Sequence, residues 1–223
     1  MASPAVLLRD LYDQWAPRYP PDAHNPLMRT EQVAMLRLLP PVRGLRALDL
    51  ACGTGRYARI LAERGAESVT ALDFSMQMLA EAAVPGRICA SMMDLPMPCG
   101  SFDIVLSGLA VGHADDLHRW LSEAARVLRA GGTLLYSDFH PFARQAGWQR
   151  TFRAADGGTR VVPFHAHEPM AHATAARALG LRLETLEELR VGIELTEPFP
   201  GSAGFYRRWR GKPIVLVALL QKA

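Results

Sequence analysis

Short apolar runs alternate along this chain with stretches of helical periodicity, a pattern that predicts a parallel sheet flanked by helices. Residues 5–16 and 29–39 carry helix-spaced apolar positions, separated by a stretch holding Pro17, Pro20, Pro21 and Pro26. Arg46–Leu50 predicts a first buried strand, followed by a glycine turn and a helix over Tyr57–Arg64. Ser68–Asp73, Arg87–Ser91, Phe102–Gly108 and Thr133–Asp138 read as the second to fifth strands. Helices over Met76–Ala83 and Leu117–Leu128 fall between them, and Gly131–Gly132 is expected to break the chain before the fifth strand. A helix near Pro169–Leu179, a strand within Leu181–Val191 and a last strand at Pro213–Gln221 complete the series. Two stretches depart from the rhythm, 140–168 and 197–211. Both predict irregular segments at the sheet edge, where pockets are commonly built. The expected fold class is α/β with a doubly wound sheet.

A chain of 223 residues, 49% hydrophobic and 21% charged, fits one well-cored globular domain, 1–223. Its formal charge is +3, carried almost wholly by dispersed arginines, since lysine occurs only at 212 and 222. The one cluster, Arg207, Arg208 and Arg210 with Tyr206 and Trp209, lacks the long basic stripe of a nucleic-acid binder, so no nucleic-acid partner is expected. No apolar run reaches the ~20 residues that cross a bilayer, so no membrane partner is expected. The N-terminus lacks a basic leader, and the three cysteines have no metal-ligand spacing, so a cytoplasmic protein without disulfides or a metal is expected.

Chemistry concentrates in the glycine turn, Asp49–Gly55. Gly53, Gly55 and Ala58 satisfy the G-x-G-x-x-G/A fingerprint of a dinucleotide site, and Asp73 stands where a ribose-binding acid would. By itself the turn therefore leaves an NAD(P)-dependent oxidoreductase standing. Two further acids change the balance. Asp49, just ahead of the turn, is unfavourable beside a pyrophosphate but favourable beside an ammonium. Asp94, after the third strand, has no counterpart in a dinucleotide site. Three acids after three successive strands match S-adenosylmethionine, with its methionyl ammonium, ribose hydroxyls and adenine amino group.

The series LDLACGTG, ALDFS, MMDLP, FDIVLS and ARVLRAGG, with YDQWAPRY near the N-terminus, resembles the class I S-adenosylmethionine-dependent methyltransferases of the type 11, small-molecule branch. The resemblance implies a seven-stranded, mostly parallel, Rossmann-like sheet with its last strand antiparallel. It implies that Asp49, Ala51, Gly53 and Gly55 surround the methionyl portion, that Asp73 binds the ribose, and that Phe74 and Met78 lie beside the adenosine. Asp94 is then expected to accept from the adenine amino group, with Met93 and Leu95 flanking the ring and Ser107–Leu109 closing the other side. Residues 1–40 are expected to form a helical lid, with Tyr12 and Tyr19 over the cofactor. Ala51 departs from the glycine common in the family. A non-catalytic cofactor-binding module remains the other alternative.

Methyl transfer from a sulfonium needs a base only when the acceptor must lose a proton. No G-x-S-x-G nucleophile turn occurs. His113 and His140, after the fourth and fifth strands, are the candidate bases, His140 being favoured. Phe139, Trp148, Phe152 and Phe164 are candidates for the wall of a pocket holding a small-molecule acceptor. His165, His167 and His172 invite a metal reading, but no acid has convincing spacing, and a pocket-lining role for His165 or His167 is preferred. The acceptor and the oligomeric state are not encoded in any motif.

Overall fold

The computed structural model describes residues 4–192 and 202–223. The helices are α1 (Pro4–Trp15), α2 (Pro26–Leu38), α3 (Arg56–Glu63), α4 (Met76–Glu81), α5 (Leu117–Val127), α6 (Pro141–Gln145), α7 (Pro169–Ala178) and α8 (Ser202–Trp209). The strands are β1 (Arg46–Leu50), β2 (Ser68–Asp73), β3 (Gly86–Cys89), β4 (Phe102–Ser107), β5 (Leu128–Phe139), β6 (Arg150–Arg153), β7 (Thr159–Val162), β8 (Leu181–Arg190) and β9 (Pro213–Lys222). Seven of them form one sheet in the order β3-β2-β1-β4-β5-β9-β8, and β6 and β7 form a separate hairpin. Pairs from β3 through β5 are parallel, and β9 runs antiparallel to both its neighbours, β5 and β8. This is the expected mostly parallel seven-stranded sheet with its last strand reversed.

Successive side chains of a strand point to opposite faces, and the core divides accordingly. Leu48, Leu50, Val105, Leu134 and Tyr136 pack with Trp120, Leu121 and Ala124 of α5 and Ala176 of α7. Ala47, Ile104, Leu106 and Leu135 face the other way, against Met35 of α2 and Tyr57 and Leu61 of α3. Asp49 is in step with Ala47, so its carboxylate is delivered to the α3 side. The parallel strands all end at one edge, and α1, α4 and the hairpin form a further cluster around Tyr12, Met78 and Phe152.

Several expectations are corrected. Pro26 does not belong to a breaking stretch; it opens α2, with Asn25 Oδ1 accepting from the Met28 amide at 2.9 Å. Proline suits a first helical turn because its missing N–H has no partner there anyway. Gly131–Gly132 do not break the chain before the fifth strand. Phe102 pairs with Leu128 and Ile104 with Thr133, so the intervening residues bulge out of a strand that starts earlier than expected. Gly131 supplies φ 72°, and a Cβ on Gly132 would lie 2.9 Å from the Arg129 carbonyl oxygen. The stretch 140–168 is not irregular throughout, since it folds into α6 and the β6–β7 hairpin. Of 197–211, residues 197–201 lie outside the described residues, and most of the remainder forms α8.

Candidate active site

At the C-terminal edge of the sheet, where open α/β sheets bind ligands, β1 delivers Asp49 into a buried position. Its Oδ2 accepts from the Ala58 amide at 2.7 Å, and burial pushes the carboxyl up to about 7. The chain then turns through three residues with positive φ: Ala51 (57°), Gly53 (55°) and Gly55 (79°). Gly55 caps α3 in this conformation, and a Cβ there would meet Ala82 Cβ at 2.9 Å. Ala51, which departs from the glycine common in the family, holds a left-handed backbone that an L side chain disfavours by about 1–2 kcal/mol.

Asp73 closes the turn from β2. Its Oδ2 accepts from the Gly53 amide at 2.8 Å and its Oδ1 from the Ser75 amide at 2.9 Å. The helix cap is Ser75, whose hydroxyl accepts from the Met78 amide, so Asp73 is not held there as a cap. Burial raises its carboxyl to about 6. Among the described residues neither Asp49 nor Asp73 forms an ion pair, so the turn carries two buried acids with no cation on them.

A third buried acid, Glu31 of α2, escaped the sequence reading. Arg56 Nη2 donates to its Oε2 at 2.9 Å, and the Tyr57 and Ser137 hydroxyls each donate to its Oε1 at 2.7 Å. This network pins α2, α3 and β5 together behind the glycine turn.

Facing the turn is a second constellation. Arg150, at the start of β6, donates from Nη1 to Tyr12 Oη at 2.6 Å and lies 2.7 Å from His113 Nε2 by the same nitrogen. Its Nη2 donates to the Leu109 carbonyl at 2.8 Å. A guanidinium cannot accept a hydrogen bond, so His113 Nε2 is the acceptor and the neutral ring carries its proton on Nδ1. Burial and the Arg150 charge hold the His113 imidazole well below its usual range. Burial likewise pushes the Tyr12 phenol up to about 12. Arg150 also stacks 4.6 Å above the Phe139 ring.

Two adjoining cavities join these groups. A narrow cleft of about 70 Å³ is lined by Asp49, Gly53, Thr54 and Arg56 on one side and by Tyr12, Tyr19, Leu109 and Arg150 on the other. A larger cavity of about 430 Å³ runs past Leu72, Met92 and Met93 to Pro163, Phe164 and His165. Ala51, Asp73, Phe74 and His113 line both, making one continuous space.

Not every expected residue reaches it. Met78 is fully buried beneath α1, Leu95 packs in the core under α5, and the Ser107 hydroxyl donates to the Leu50 carbonyl in the sheet. None of the three is in the lining, and neither is Gly55, which packs against Ala82 as the cap of α3. Asp94 is exposed and outside the lining as well. His140 is displaced too: its Nδ1 accepts from the Phe142 amide at 3.0 Å, making it the cap of α6, and it lines neither cavity. Of the two candidate bases, His113 lines the space and His140 lies outside its lining. Phe164 and His165 are in the wall, whereas Phe139, Trp148 and Phe152 pack behind it. His172 is buried against the Tyr136 hydroxyl at 2.9 Å. Among the described residues no group of three His, Cys, Asp or Glu side chains is arranged to hold a metal ion, and no helix is long and apolar enough to cross a membrane.

The space suits a cationic, hydroxyl-bearing ligand. The buried Thr54 hydroxyl at the cleft has no partner, and a Cβ on Gly53 would meet nothing within 4 Å, so the turn presents open backbone there. Two unneutralised acids match an ammonium and a ribose, as S-adenosylmethionine requires.

Comparisons agree with this chemistry. The family model described as "Methyltransferase domain" matches residues 48–136. The malonyl-[acyl-carrier protein] O-methyltransferase of Enterobacter lignolyticus is 36% identical over 179 residues, covering 77% of this chain and 68% of that protein. The 27-O-demethylrifamycin SV methyltransferase of Amycolatopsis mediterranei is 31% identical over 166 residues, 68% of this chain and 59% of that one. An S-adenosylmethionine-dependent methyltransferase structure from Mesorhizobium loti superimposes with a TM-score of 0.71 at 26% identity, covering 86% of this chain and 98% of that one. The chain spans 58–68% of the length of the malonyl-[acyl-carrier protein] enzymes of Pectobacterium atrosepticum and Enterobacter. With its fold, its glycine turn and these relatives, the chain belongs to the class I S-adenosylmethionine-dependent methyltransferases.

Proposed function

We propose that this chain transfers the methyl group of S-adenosylmethionine to an oxygen of a small-molecule acceptor held in the continuous space beside the glycine turn. One observation carries the reading: Asp49 and Asp73, both buried and unneutralised, flank a turn of open backbone that leads into a cavity large enough for a second molecule. Asp49, Ala51 and Gly53 would hold the methionyl end, with Gly55 shaping the turn behind them, and Asp73 the ribose, with Phe74 and Met93 against the adenine. S-adenosylmethionine supplies an activated methyl group. The chain's own residues orient the acceptor and exclude water. The lid role falls to α1, whose Tyr12 lines the cleft and bonds His113, and whose Trp15 stacks on Phe152 at 4.9 Å between ring centres. The names of the Enterobacter and Amycolatopsis relatives both refer to methylation at oxygen, which supports the choice of acceptor atom.

Calorimetric titration tests the reading. Binding of S-adenosylhomocysteine without binding of NADH is the expected result. NADH binding with no response to S-adenosylhomocysteine would sink it.

A further inference from the structure

Two histidines line the larger cavity, His113 and His165. The first is engaged: its Nε2 lone pair faces Arg150 Nη1 and the Tyr12 hydroxyl, each at 2.7 Å, and its Nδ1 is buried. The His165 ring is exposed at the cavity wall, and among the described residues it forms no hydrogen bond or ion pair. What is fixed is its backbone. The His165 amide donates to the Gly112 carbonyl at 2.6 Å, and the Gly112 amide in turn donates to Asp138 Oδ1 at 2.9 Å. A Cβ on Gly112 would lie 3.0 Å from the His165 carbonyl oxygen, so glycine there lets the two segments touch. The neighbouring Phe164 ring lies 5.3 Å from that of Phe139. The end of β5 thus seats an unengaged imidazole beside the turn of His113, the histidine common to cleft and cavity.

Resting on the reading of this space as the methyl-transfer site, we propose that His165 is the general base of the reaction and that the acceptor is an aromatic hydroxyl. Of the larger cavity's lining, Ala51, Asp73, Phe74 and Met93 are assigned to the donor, which leaves Leu8, Pro163, Phe164 and His165 for the acceptor. Apart from His165 that set is apolar and suits a flat ring offset-stacked on Phe164. The acceptor oxygen forms the new O–CH3 bond as the S–CH3 bond breaks, and the bonding pair leaves on sulfur. The hydroxyl proton passes to a ring nitrogen of His165. The products are an aryl methyl ether, S-adenosylhomocysteine and an imidazolium, whose exposed ring returns the proton to water. General-base transfer works best between groups of comparable strength, so an imidazole serves a phenol and not an aliphatic alcohol. Asp115 lines the same cavity, but a carboxylate is the weaker base. The charged and titratable groups facing His165 are His113 and Asp115 after β4, Asp73 of β2, Arg144 of α6 and His167 on its own segment.

The test uses the full chain, S-adenosylmethionine and phenols of rising acidity (2-naphthol, 4-cyanophenol and 4-nitrophenol), with 2-phenylethanol as the aliphatic control. S-adenosylhomocysteine binding is measured first, because its absence overturns the site reading itself. With that binding present, a methyl ether from at least one un-ionised phenol and none from 2-phenylethanol support the proposal. No ether from any phenol, ether from ionised 4-nitrophenol alone, or an aliphatic alcohol turned over as fast, overturns it and leaves the methyltransferase reading intact. His165→Gln and His165→Ala should each lower kcat on the un-ionised phenol about 100-fold, the lower end of what a general base contributes, and flatten the rising limb of its pH profile. Because the backbone of residue 165 holds the segment, melting temperature should barely move and S-adenosylhomocysteine affinity should stay within about threefold. Ionised 4-nitrophenol, which has no proton to lose, should escape the loss. Unchanged kcat in the folded variants, or an equal fall for ionised and un-ionised phenols, also overturns the assignment.

Discussion

The Tyr12 hydroxyl lies 2.7 Å from His113 Nε2, joining α1 to the turn after β4 across 101 residues of sequence. Because Arg150 Nη1 donates to the same hydroxyl, one phenol ties the N-terminal helix both to the turn after β4 and to β6. Tyr12→Phe should therefore loosen α1 while its ring packing persists. The expected effect is about 1 kcal/mol, the usual net value of one hydrogen bond, read as faster amide exchange confined to residues 4–15. Exchange equal to that of the unaltered protein would show that the hydroxyl does not hold the helix.

Asp73→Ala should weaken S-adenosylhomocysteine binding by roughly 1–3 kcal/mol, the scale of hydrogen bonds to a charged group. Titration calorimetry reads this directly. Undiminished affinity in a folded variant would remove Asp73 from the ribose site.

The same acids set a pH window. Asp49 is raised to about 7 and Asp73 to about 6, in both cases chiefly by burial. Only the ionised Asp49 attracts an ammonium, so affinity should fall as the pH drops through these values, and binding within the window should release protons. Stability of the ligand-free protein moves the other way. A carboxyl whose folded value exceeds its unfolded one, 3.8 for these groups, stabilises the native state fully below that unfolded value. The contribution is lost as the pH rises through the folded value. Calorimetry in buffers of different ionisation heat, beside thermal melts of Asp49→Asn, separates the two trends. Affinity independent of pH from about 5.5 to 8 would contradict the assignment of Asp49.

His140→Ala should lower stability by about 1 kcal/mol, as loss of a helix cap does, and leave the turnover number unchanged. His140→Asn should restore the cap. A large fall in turnover with a normal melting temperature would return His140 to the chemistry.

Ala51→Gly should stabilise the chain by about 0.5–1 kcal/mol, because the relief at φ 57° exceeds the extra freedom that glycine gains when unfolded. Denaturant unfolding measures the difference, and a destabilised variant would refute the strain.

The sheet and the glycine turn were legible because their signals are local. Leu48, Asp49 and Leu50 report one strand by spacing alone, and the positions of Gly53 and Gly55 mark a turn without help from the rest of the chain. Asp49 and Asp73 were identifiable for the same reason: each ends a strand, and parallel strands end at one edge. Arg150 was not, because nothing around it in sequence distinguishes it from the other lysines and arginines, 25 in all with it. Its place depends on a hairpin folding back against α1. Glu31 was missed for a similar reason, as its partners Arg56, Tyr57 and Ser137 lie on two other elements. His140 misled because the end of β5 is also the start of α6, and a side chain there can serve the backbone instead of the cavity. Asp94 follows the right strand, yet Met92 and Met93 are the side chains turned inward.

The β6–β7 hairpin has a consequence for how this enzyme can change. Its two strands pair only with each other, outside the seven-stranded sheet. The residues assigned to the methyl donor lie at the ends of β1 and β2 and in the turns after β1, β2 and β3. Exchanging the segment between Trp148 and Phe164 would change Arg150 in the narrow cleft and Pro163 in the larger cavity while every pairing of the seven-stranded sheet stayed in place.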